Sequence, residues 1–381
     1  MNPSGQAQGF DFATGKPVLG RWSAGRITEV LPLPDLPPDS PWLCPGLFDL
    51  QVNGYAGIDF QQDNLTVEDL LAASHALGQA GCTRFFIALI TNEWEVLMQR
   101  LKKLRHLRSQ SPALQAAIAG WHIEGPFLSA EPGFHGAHAP QFMRDPAPEH
   151  ILQLRQIAGN EPVLLTLAPE RQGAFAAIKL AVENRMVVSL GHTDASAALI
   201  SQAVAHGARA FTHLGNGCPR SLDRHDNILW RVFEAQGLFV SLIPDNIHVS
   251  PSLFRLIHRT LNPDLIYYTT DAMSAAGAPP GRYKLGKLEL DVGPDQVVRQ
   301  PGKPLFAGSA LRPVDGVFRA AEMLGCSWRE TWARLSVVPA KLVGLSHHLA
   351  VGQPATFCLL RLGEQNQLLD LQVCALHGLD S

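Results

Sequence analysis

Eight short apolar runs, at 47–53, 83–89, 118–124, 162–168, 186–192, 208–214, 238–243 and 265–271, limit what this chain can become. Amphipathic stretches separate most of them, among them 66–81, 94–107, 172–185, 194–207 and 250–261. The runs are apolar throughout instead of alternating with polar residues, the mark of strands covered on both faces and hence of a parallel sheet. Eight strands alternating with helices predict an α/β fold of the (β/α)8 class, a TIM barrel. Thr66 and Asp194 stand where N-caps belong, and Gly81 and Gly207 where helices end.

The two ends of the chain read differently. Residues 1–44 carry the proline-rich punctuation LPLPDLPPDSPW, and 345–381 hold short strand-like runs without helical period. They are expected to form one small β domain beside a barrel spanning 45–344. A formal charge of −3 over 381 residues offers no basic face for nucleic acid or an anionic membrane, so a small-molecule partner is expected. No run of about 18 apolar residues predicts a membrane span, and MNPSGQAQGFDF has no leader-like pattern. Six dispersed cysteines without a C-x-x-C pair suit a reducing cytoplasm. The basic stretch RLKKLRHLR (100–108) reads as a solvated helix face, and Trp328 and Trp332, four apart, as core.

In a barrel of this class the active site forms at the C-terminal ends of the strands. The polar residues there are Gln51, Asn53, Glu124, His192, His213 and Asp271. In GWHIEGPFLS an apolar run delivers Glu124 toward the interior, where an unpaired carboxylate is costly unless a cation or donor set meets it. A lone histidine at a strand end is more often a hydrogen-bonded structural residue than a ligand. Glu124, His192 and His213 together match a three-ligand divalent metal site with one open position. Asp271 is the candidate general base, its alternative being a helix cap or structural hydrogen bond.

The ordered blocks PGLFDLQVNG, HIEGPF, GAH, LGHT, THLGN, TTDAMSAAG and AGSAL resemble the N-acetylglucosamine-6-phosphate deacetylases of the amidohydrolase superfamily, over nearly the whole chain. The resemblance implies hydrolysis of the acetamido group of an amino sugar phosphate. It implies one divalent metal per subunit on Glu124, His192 and His213, with zinc expected and iron or manganese left open. Gln51 and Asn53 replace the His-x-His pair by which many amidohydrolases hold a second metal, which implies a mononuclear site. Asp271 would activate water and His138 would polarise the scissile carbonyl, with Ala137 nearby. Asn216, Gly217, Arg224, His248 and Ser309, with Gln51 and Asn53, would face the substrate. In this family the phosphate-binding arginine reaches across from a second subunit, which implies a homodimer. The run HLGNGCP departs from H-L-F/Y-N-A-M, DRHDN from H-R-E-P-G, and DNIH from D-G-x-H, with Asn246 where glycine is expected; His135 has no assigned role. Two other readings stay open: an amidohydrolase acting on a different N-acyl or cyclic amide, and a barrel that binds without catalysis.

Overall fold

The computed structural model describes residues 4–302 and 306–374. Eight strands form one all-parallel sheet in barrel order: β1 (Leu47–Val52), β2 (Cys82–Ile90), β3 (Ile118–Glu124), β4 (Val163–Leu167), β5 (Val187–Leu190), β6 (Ala210–Phe211), β7 (Phe239–Leu242) and β8 (Ile266–Tyr268). Every residue of β1, β3 and β4 is buried, as the continuous apolar runs require. Each strand is followed by a helix, from Val67–Gln79 after β1 to Pro313–Leu324 after β8. The chain is thus the TIM barrel that its periodicity predicts.

The ladder runs unbroken from β1 to β8, but between these two strands there is no regular ladder: the chain closes through the parallel bridge Val52↔Ala272, the Asn53 and Gly54 amides on the Ala272 carbonyl, and side-chain hydrogen bonds. Leu164 and Ala210 pack in an apolar cluster with Phe48, Phe86, Phe239 and Tyr267 around Ala340 and Leu342. Two positions further along β4 and past β6, on the same face of the strand, Thr166 and Thr212 join hydroxyls at 2.9 Å across the interior. His122 and Ser189 extend that chain.

Both termini feed a separate six-stranded sheet, ordered Leu368–Cys374, Phe357–Leu362, Trp42–Pro45, Gly5–Asp11, Pro17–Ser23 and Arg26–Pro32. The small β domain read from 1–44 and 345–381 draws on these strands; residues 1–3 and 375–381 lie outside the described residues. A third sheet, Gly281–Leu285, Leu288–Val292 and Val298–Arg299, rises from the loop after β8. It matches the hairpin-like stretch 283–305, whose residues 303–305 are also outside the described set.

Thr66 caps its helix, with Asp69 completing a capping box. Asp194 does not. Ser196 is the cap, accepting from the Leu199 amide, while the Asp194 carboxylate faces Arg231 at 2.8 Å. The basic stretch 100–108 is less solvated than its spacing suggests: Arg100 is 8% exposed and pairs with Asp63, and Arg108 bridges Glu161 and the Ile118 carbonyl. Trp328 and Trp332 are buried and pack edge-on at 6.1 Å.

Candidate active site

Glu124 ends β3, and His192 and His213 lie just past β5 and β6. One ligand atom from each falls within 4.8 Å of the others, and all three residues are buried. Both histidines have left-handed backbone, φ 51° and 32°, as does Asp271 at 50°. Such strain in non-glycine residues persists where surrounding structure enforces it, and it clusters at functional sites. Glu124 Oε1 lies 2.8 Å from His213 Nε2 and 3.3 Å from His192 Nε2, and Oε2 lies 3.6 Å from His138 Nε2.

The ring orientations follow from their other contacts. His192 Nδ1–H donates to the Phe134 carbonyl at 2.8 Å, leaving a lone pair on Nε2 aimed at Glu124. A Cβ on Gly217 would fall 2.8 Å from His192 Nδ1, and one on Gly136 2.9 Å from its Cε1, so two glycines press on this ring. The Thr91 amide points at His138 Nδ1 from 3.4 Å, which places the ring proton on Nε2, toward the site.

Burial alone would raise the Glu124 carboxyl. The neighbouring His138 and the hydrogen bond from His213 Nε2 instead hold it well below the ordinary range. Burial opposes charge on His213, but its hydrogen bond to Glu124 lifts that imidazole above its usual value. Burial and the neighbouring His192 hold His138 down at about 3. A buried carboxylate with two imidazoles, one presenting a bare lone pair to it, is a donor set that fits a divalent cation. The Phe134 carbonyl behind His192 fixes that ring's tautomer and direction.

Asp271 lies beyond β8 and faces this cluster. Its Oδ1 accepts from Asn53 Nδ2 at 2.7 Å and Gln51 Nε2 at 3.0 Å. Burial pushes the carboxyl up to about 7, the Glu124 charge adds to that, and the Asn53 amide opposes it. No helix begins there, so the helix-cap alternative is excluded. The amides that replace a second metal-binding pair thus hold the candidate base.

A cavity of about 440 Å³ opens over these groups, lined by Asn53, Glu124, Ala137, His138, His192, His213, Asn216, Gly217, His248 and Asp271 among others. Gln51, Arg224 and Ser309 were expected to face substrate and do not line it. Gln51 sits behind Asp271. Ser309 is buried, its hydroxyl donating to the Thr270 carbonyl and its amide to the Asp271 carbonyl. Arg224 lies on an exposed loop, its Nε against His225 Nε2. Asn246, in place of a glycine, has φ 64°, a conformation asparagine tolerates better than most residues.

Four contributors escaped the sequence reading. Asp245 grips His248 Nδ1 at 2.6 Å and accepts from the amides of Ile247 and His248. Arg220 and Phe306 line the cavity, Phe306 packing on His248 at 5.4 Å. His122, two residues before Glu124, is held neutral by burial at about 4 and joins Thr166. Only Asp245 carried a signal, its i, i+3 spacing to His248.

An eight-stranded parallel barrel with a carboxylate, two imidazoles and a separate acid at its strand ends defines an amidohydrolase-type hydrolase. The chain matches no family model. It is 31% identical over 330 residues to the N-acetylglucosamine-6-phosphate deacetylase of Danio rerio, covering 84% of this chain and 80% of that one. It is 30% identical to the Bacillus subtilis enzyme of the same name, covering 80% and 76%. A solved Mycobacterium smegmatis N-acetyl-D-glucosamine-6-phosphate deacetylase, an aspartate-to-alanine mutant in complex with N-acetyl-D-glucosamine-6-phosphate, superposes with a TM-score of 0.84 at 28% identity over 97% and 98% of the two chains. The chain belongs to the N-acetylglucosamine-6-phosphate deacetylase family. No helix among the described residues is long and apolar enough to cross a membrane.

Proposed function

We propose that this chain hydrolyses N-acetylglucosamine 6-phosphate to glucosamine 6-phosphate and acetate, with Asp271 as its general base and acid. The observation that carries the mechanism is Asp271 itself, a buried carboxyl held by the Asn53 and Gln51 side-chain amides in the cavity it shares with Glu124, His192 and His213. Glu124, His192 and His213 would hold one divalent ion, zinc by preference, which when bound acidifies a water and polarises the amide carbonyl. Asp271 takes a proton from the attacking water as the new C–O bond forms. It returns that proton to the amide nitrogen as the C–N bond breaks, so the amine leaves neutral. His138 presents Nε2–H to the oxygen that gains charge. Asn53 and Gln51 keep the Asp271 carboxylate aimed through Oδ1.

His248, fixed by Asp245, and the Asn216–Gly217 backbone meet the sugar. On the family resemblance we assign the phosphate to Arg224 of a second copy of the chain, and with it a homodimer; an exposed Arg224 outside its own cavity agrees with that assignment. Six free cysteines fit a reducing cytoplasm. A second reading, hydrolysis of a different N-acyl or cyclic amide, draws on Leu222, Leu229 and Leu253, which give one cavity wall an apolar surface.

The test measures acetate release from N-acetylglucosamine 6-phosphate and from unphosphorylated N-acetylglucosamine, for the wild-type protein and Asp271→Asn. The phosphorylated sugar should be preferred, and the variant should lose about 10²- to 10⁴-fold in kcat while binding metal stoichiometrically. Equal or absent turnover of the two sugars favours the second reading, and an active variant removes Asp271 from the mechanism.

A further inference from the structure

Asp49 is a buried carboxylate with no assigned part in the chemistry. It is fully enclosed and sits at the seam where β1 and β8 lack a regular ladder. Four donors surround it. Oδ1 accepts from the Gln51 amide at 3.0 Å and from the Thr269 hydroxyl; Oδ2 accepts from the Thr270 amide at 2.9 Å and the Thr270 hydroxyl at 2.6 Å. These fill the acceptor capacity of an ionised carboxylate with no cation among its partners.

The same contacts reach the candidate base from two directions. Through Gln51, Asp49 fixes the strand whose Gln51 and Asn53 amides hold Asp271 Oδ1. Through Thr270 it fixes the residue directly before Asp271, and the Thr270 hydroxyl accepts in turn from the Ala272 amide. Asp271 is therefore clasped on both sides, its backbone in the left-handed region. Beyond Asp49, the seam is tied among the described residues by the Val52–Ala272 bridge, the Asn53 and Gly54 backbone amides on the Ala272 carbonyl, and the Thr269 hydroxyl on the Gln51 carbonyl.

We propose that Asp49 is a positioning residue for the hydrolytic reaction, setting the distance between Asp271 and the cluster of Glu124, His192 and His213 by clamping β8 to β1. The proposal rests on Asp271 being the base. A displacement of about 1 Å at a reacting group can cost about 10²-fold in rate, so the effect should fall on kcat.

The experiment is Asp49→Asn, assayed with N-acetylglucosamine 6-phosphate alongside wild type and Asp271→Asn. Asparagine keeps the shape but turns an NH2 toward a backbone N–H. Expected is a 10- to 100-fold loss in kcat per metal-loaded chain, with KM within about twofold and metal content unchanged. Thr270→Val, which removes one donor and leaves the carboxylate, should show a smaller loss of the same kind and serves if Asp49→Asn fails to fold. If the folded variants lose thermal stability but keep wild-type kcat per bound metal, Asp49 only closes the barrel and the proposal is wrong. Because Asp271→Asn is measured in the same series, failure of the base assignment is visible separately.

Discussion

The cluster under the barrel mouth and the rim above it are built on opposite principles. Glu124, His192 and His213 are side chains of strand ends, buried, and held by contacts from residues remote in sequence, such as the Phe134 carbonyl behind His192. The rim consists of loops, where Arg220, Leu222, His248 and Phe306 face an open cavity and Arg224 stands outside it. The departures from the family pattern, in HLGNGCP, DRHDN and DNIH, fall on the rim and spare the cluster. A rigid frame can keep one reaction while its loops change what is admitted, since loops tolerate substitution that packed strand ends do not.

Four measurements can break or sharpen this contrast. The largest effect is expected beneath the mouth: His192→Ala should abolish bound metal and lower kcat/KM by more than about 10³-fold, read by metal analysis and acetate release. Chelation of the wild-type protein should do the same, reversed by adding zinc. If His192→Ala keeps its metal, the cluster is not the binding site. A middle effect belongs to the rim. Arg224→Ala should raise KM for the phosphorylated sugar about 10- to 100-fold, as loss of a charge-assisted contact would, with kcat and metal content near wild type. An unchanged KM would detach Arg224 from recognition. The smallest effect lies between the two regions. Asn53 donates to the ionised form of Asp271, so Asn53→Ala should raise that carboxyl further above its usual value. The acid limb of the kcat/KM profile, below which Asp271 is protonated and cannot take a proton, should then move to higher pH. A bound cation would lower the limb in wild type and variant alike; the direction of the shift in the variant is the test.

The same division decided what could be read from sequence. The strands were legible because burial on both faces leaves an unbroken apolar run, and Glu124, His192, His213 and Asp271 stood out as polar residues ending such runs. Thr66 was legible because its cap is local; Asp194 was misread because a tertiary partner, Arg231, takes its carboxylate while Ser196 does the capping. Ser309 and Gln51 came from the right blocks, yet fold back on the Asp271 segment instead of meeting the cavity. Their direction depends on the β1–β8 seam, a contact across about 220 residues that no local pattern encodes. Asp49 stayed silent for the same reason, since within its own run it is one polar residue among apolar neighbours.

Gly217 lines the cavity, and a Cβ added to it would fall 2.8 Å from His192 Nδ1. Evolution cannot tailor this stretch of the entrance independently of the His192 ring: adding even one methyl there would push that imidazole, so under the proposed mechanism a lineage that retunes this position would carry a changed appetite for metal as its signature.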